Sequence, residues 1–76
     1  MINEHDCIVL TQDLLEEGLQ AGDVGTVIHI HQGGVAHEVE FVTLTGHTVA
    51  VATVGASQMR PVNQRDLSHV REMAAI

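Results

Sequence analysis

The sequence predicts an all-β fold, a small five-stranded barrel with a C-terminal α-helix. Three observations lead there. With 76 residues, the chain has room for one domain, 1–76. Glycine-bearing breaks divide it into short runs rich in Val, Ile and Thr, the composition of strands. Beyond Pro61 that character ends, and Leu67, Val70 and Ala74 recur at helical spacing.

Each element follows in order. Residues 6–10, Asp-Cys-Ile-Val-Leu, read as the first strand. Residues 11–20 hold three leucines but break at Gly18, which predicts a compact loop with at most one helical turn and its leucines pinned to the core. Gly22 and Gly25 flank Asp23 in a turn, where both glycines are expected at positive φ and Asp23 is expected to bond its own backbone. Residues 26–31 form the second strand, and Gly33-Gly34 supplies a two-residue hairpin turn into the third, 36–43. Residues whose numbers sum to 67 should then pair. That sets Thr26, Ile28 and Ile30 with Phe41, Val39 and His37 on one face. Val27, His29 and His31 share the other face with Glu40, Glu38 and Ala36. A turn at 44–47 leads to the fourth strand, 48–54, apolar on both faces and so expected to be covered on both. Residues 59–62 make a brief fifth strand that Pro61 confines to an edge or an end. Asn63 reads as an N-cap, with Asp66 three residues on, for a helix over 64–75. This strand pattern, about 6–62, fits a strongly bent SH3-like barrel. A partly open barrel of other connectivity, or a flat meander under the helix, would also use these strands.

Charge narrows the function. The formal net charge is -7, with ten Asp and Glu, three Arg and no Lys. Residues 1–58 carry all the acids but Asp66 and Glu72, and no Lys or Arg. Such a body repels polyanions, which argues against nucleic acid and anionic membrane as partners. A basic protein, or self-association, suits it better. No apolar run reaches the length of a membrane span, and one cysteine with no signal-like start reads as cytoplasmic.

Four stretches carry a resemblance. They are residues 18–27, Gly-Leu-Gln-Ala-Gly-Asp-Val-Gly-Thr-Val; 38–41, Glu-Val-Glu-Phe; 46–51, Gly-His-Thr-Val-Ala-Val; and 59–61, Met-Arg-Pro. In this order they resemble a family of small bacterial proteins known only as a domain of unknown function, over about residues 6–62. Met59 stands where that pattern has Leu. The first stretch is also similar to the start of KOW-type SH3-like barrels, a likeness that implies the fold. It would imply RNA binding too, but the chain lacks the basic residues those domains use. The family resemblance implies no activity, cofactor or catalytic residue.

Candidate sites were weighed against plainer roles. His29, His31 and Glu38 share a hairpin face and offer ligands for zinc or nickel, against the alternative of a solvated cross-strand pair. Cys7 sits in an apolar run, where an inert thiol is the ordinary case. Phe41, the one aromatic residue, belongs to the core. No nucleophile elbow, phosphate loop or paired cysteines appear, so the chain reads as a non-enzymatic module needing no cofactor. Arg60 is expected to pair within its own chain. A domain this small gains from oligomerisation. The expected interface takes Val27 and Val42 from the hairpin and Ala50, Ala52 and Val54 from the fourth strand. Leu67, Val70 and Arg71 would join it from the helix.

Overall fold

A computed structural model describes residues 1–73. Five antiparallel strands, β1 (Cys7–Leu10), β2 (Val24–Ile30), β3 (Ala36–Val42), β4 (Thr48–Gly55) and β5 (Met59–Pro61), form one sheet in the order β4-β3-β2-β1-β5. The five expected strands are present, but the barrel is not: the sheet is open, with β4 and β5 as its edges. β5 is only three residues and ends in proline, too short to turn back and close the sheet against β4.

The expected C-terminal helix is also absent among the described residues. Its start signal forms nonetheless. The Arg65 N–H donates to Asn63 Oδ1 at 3.1 Å, and the Asn63 N–H donates to Asp66 Oδ2 at 2.8 Å. No helix follows through residue 73, and Ala74 lies outside the described residues. A three-turn helix needs a surface to bury its stripe against. Here Leu67 and Val70 stay 92% and 70% exposed, while Arg60 and Arg71 tie the segment down elsewhere.

Inside the sheet, Ile8, Leu10, Leu19, Val27, Val39, Phe41, Ala52, Val54 and Met59 form the core, with Leu14 and Ala50 packed against it. Loop 11–23 holds a single 3-10 turn, Leu15–Glu17. Leu14 and Leu19 reach the core as expected, but Leu15 is exposed.

Gly33 and Gly34 both take positive φ, 65° and 80°, but the turn is not the expected two-residue one: a 3-10 turn, Gln32–Gly34, is closed by the His31 N–H donating to Ala36 O at 2.9 Å. The Val35 N–H donates to Gln32 O across it. His29 pairs with Glu38 and Ile30 with His37 on the expected sum of 67. A bulge between Val27 and His29 then shifts the register by one, so Val27 meets Val39 and Thr26 meets Glu40. The extra residue is Ile28. Bulging it turns Val27 into the core and leaves Ile28 partly in solvent. The expected pairings of Thr26 with Phe41, Ile28 with Val39 and Val27 with Glu40 do not form.

Gly22 takes a positive φ of 96°, but Gly25 does not. Gly25 is needed for space: a Cβ there would lie 2.5 Å from Val39 Cγ1 and 2.8 Å from the Phe41 ring.

Candidate functional site

The outer face of the sheet, opposite the core, carries the groups with chemical or binding potential. Side chains alternate along a strand, so burying Val39 and Phe41 turns Glu38, Glu40 and Val42 outward. The β3–β4 pairs sum to 91 from Ala36–Gly55 to Phe41–Ala50, which sets Thr53 beside Glu38 and Val51 beside Glu40.

One half of this face is polar. Glu38 Oε2 accepts from the Thr53 hydroxyl at 2.6 Å and pairs with His31 Nε2, also at 2.6 Å. The Thr53 hydroxyl first, then His31, holds the Glu38 carboxyl below its ordinary range. This cluster therefore favours the folded state above that range and loses its contribution as pH falls through it. His29 stands edge-on to His31, with ring centroids 4.9 Å apart. Thus His31 and Glu38 meet and His29 lies alongside. Among the described residues, no three His, Cys, Asp or Glu side chains come together as a metal-binding group.

The other half is apolar. Val42 and Val51 are 48% and 51% exposed. The pairing of Thr26 with Glu40 brings Val24, also exposed, level with Val42. Between the halves, the Thr48 hydroxyl donates to Glu40 Oε2 at 2.7 Å. The Cys7 thiol lies 3.9 Å from the Thr26 hydroxyl and is exposed rather than sealed in the core.

The residues expected at an interface are distributed unevenly. Val27, Ala52 and Val54 are buried in the chain's own core, and Ala50 packs against it. Val42, Leu67 and Val70 are exposed. Arg71 is held in cis: its guanidinium donates to both Asp23 oxygens, at 2.8 and 2.5 Å, and to Gly18 O at 3.2 Å. Asp23 also accepts from the Gln20 N–H at 2.8 Å, a backbone bond that reaches back before Gly22 rather than into the Gly22–Gly25 turn. Burial pushes the Asp23 carboxyl up, but Arg71 and the Gln20 N–H outweigh that and hold it below its ordinary value.

Arg60 likewise pairs within the chain, with a bidentate grip on Asp66 at 2.8 and 2.9 Å. Arg60 and the Asn63 N–H draw the Asp66 carboxyl down to about 2. Its folded value lies below the ordinary 3.8, so the clasp contributes fully above pH 4 and is lost as pH falls towards 2. A carboxyl-detected NMR titration should place Asp66 at about 2. In Arg60→Gln it should move back towards 3.8, leaving only the Asn63 contact to depress it. An unchanged titration would show that Arg60 is not its main partner.

Sequence reasoning missed Thr53 and Thr48 as partners of Glu38 and Glu40. For Thr53 the signal lay in the 44–47 turn, whose centre gives the sum of 91; Thr48 pairs with Val42 after a register shift, on a sum of 90, so nothing in the turn announced its reach to Glu40. His37 was placed on the inner face and is buried there, but its Nδ1 has no hydrogen-bond partner among the described residues. No helix among those residues is long and apolar enough to cross a membrane.

Residues 4–61 match the family described as "Domain of unknown function (DUF4926)". No curated protein and no solved structure matches the chain.

Proposed function

This chain belongs to the DUF4926 family, and we propose that it is a small, non-enzymatic, cytoplasmic protein-binding module that pairs with a second copy of itself through the outer face of its sheet. The observation behind this reading is the uncovered apolar half of that face. β4 buries Ala52 and Val54 on one side and leaves Val51 half exposed on the other. Arg71 ties the C-terminal segment to Asp23, beside Val24, yet Val24, Val42 and Val51 all stay about half exposed. Val24, Val42 and Val51 together form the kind of apolar patch that marks interaction sites. The single cysteine supports a reducing compartment.

Light scattering on the full chain at neutral pH should give twice the 8.2 kDa monomer mass, falling to the monomer on dilution. Val42→Asp should remain folded and stay monomeric at every concentration. A wild-type chain of 8.2 kDa throughout would end the self-association reading.

A further inference from the structure

The two edges of the open sheet are defended differently. β5 is short and ends in Pro61, which has no N–H to offer a neighbour. β4, Thr48–Gly55, is eight residues without a charge or a proline, the devices that usually protect an edge. Its register identifies the free backbone groups. The Ala56 N–H donates to Val35 O at 3.0 Å, in line with the pairs His37–Val54 and Val39–Ala52. Bonded pairs alternate along an antiparallel ladder. Val54 and Ala52 therefore turn their N–H and C=O groups towards β3, while Val51 and Thr53 turn theirs to the open edge. Farther along, the Gly55 N–H is capped by Gln58 Oε1 at 2.8 Å. Among the described residues, the edge groups of Val51 and Thr53 have no backbone partner beyond the sheet.

A groove runs beside this edge, lined by Leu14, Leu15, Glu16, Glu17, Ala52 and Thr53. Leu14 rests on the core and Leu15 is exposed. Glu16 and Glu17 have no cationic partner among the described residues.

We infer that the β4 edge accepts an extended, basic segment of a partner protein as a sixth strand. Its backbone bonds Val51 and Thr53, and its Lys or Arg side chains reach Glu16 and Glu17. This rests on the protein-binding reading above and names the partner's chemistry. Strand addition draws affinity from main-chain bonds and specificity from side chains alongside. Charge decides the occupant. A second copy would bring its own Glu16 and Glu17 against those beside this edge. A basic strand supplies the complement, and the acidic body speeds its encounter.

The test uses the full isotope-labelled chain with a synthetic ten-residue peptide alternating Thr and Lys, and a twin with Glu for Lys. The lysine peptide should bind saturably and slow amide exchange at Val51 and Thr53 about tenfold or more, leaving Ala52 and Val54 unchanged. The glutamate twin should not bind. Combining Glu16→Gln with Glu17→Gln, both on the surface, should weaken the lysine peptide about tenfold. Val51→Pro takes away the outward N–H and the valine side chain and fixes φ at about −65°, changes that an edge strand tolerates, and the protection at Thr53 should be lost while the chain stays folded.

Absence of binding would overturn the inference, as would edge amides already protected by a second copy without peptide. Peptide-induced shifts confined to Val24 and Val42 would overturn the edge but uphold a protein-binding face. Edge binding by a strictly monomeric chain would uphold this inference while removing self-association.

Discussion

Gly25→Ala is expected to lower the melting temperature by at least about 12 °C, and in a chain this small to leave a substantial fraction unfolded. The new methyl would stand 2.5 Å from Val39 Cγ1 and 2.8 and 2.9 Å from two Phe41 ring atoms. Those side chains are buried, so neither can swing into solvent to make room. Overpacking a core costs about 1–3 kcal/mol and occasionally more, and contacts this short belong at the upper end. Total stability at this length is of the order of 4–11 kcal/mol. In a domain of this size, each 1 kcal/mol shifts the midpoint by about 4–8 °C. Thermal denaturation followed by circular dichroism reads the effect directly. A change under about 4 °C would mean that β2 and β3 are not held at this separation.

Phe41→Ala should be at least as damaging. Phe41 is the largest fully buried side chain and belongs to the core on the sheet's inner face. Truncating a buried Phe costs about 3–5 kcal/mol, part transfer energy and part unfilled cavity. That approaches the whole stability at the low end of the range. Urea denaturation should show the midpoint falling, with the slope unchanged for whatever fraction still folds. Because the ring lies against Gly25, the two substitutions are coupled. The ring's removal makes room for the methyl, so Phe41→Ala should cost less in the Gly25→Ala background than in the wild type. Strict additivity would contradict the close packing of these two strands.

The dependence on Gly25 shows how far the sequence alone reaches. Its place in Gly22-Asp23-Val24-Gly25 suggests turn chemistry, and for Gly22 that is correct. At Gly25 the reason lies across the sheet, in a ring sixteen residues away, and no local pattern announces it. The hairpin divides in the same way. Two glycines at positive φ set the pairing near the turn, but the bulge at Ile28 depends on whether Val27 gains more from the core than Ile28 loses to solvent. That balance is decided by packing.

The C-terminal segment is the clearest case. Asn63 and Asp66 make the bonds of a helix start, yet Asp66 also grips Arg60 and Arg71 grips Asp23. One long-range ion pair and one spanning six residues took the place of a helix that had no surface to dock on. The shared face of His29, His31 and Glu38 was legible from one turn and a register sum, but the sum set His29 opposite Glu38, and it is His31 that bonds it. The Thr53 contact of Glu38 required the second hairpin as well. Barrel closure depended on whether a three-residue β5 could meet β4, which is a matter of strand length and bending more than of residue type.

If the outer face of the sheet binds a second copy, dilution alone should reveal it. An NMR dilution series on the labelled full chain tests it most directly. Backbone shifts of Val24, Val42 and Val51 should change with concentration along one binding curve, while those of the Arg60–Asp66 clasp stay fixed. Shifts that do not depend on concentration, or that move only in the C-terminal segment and β5, would contradict self-association through this face.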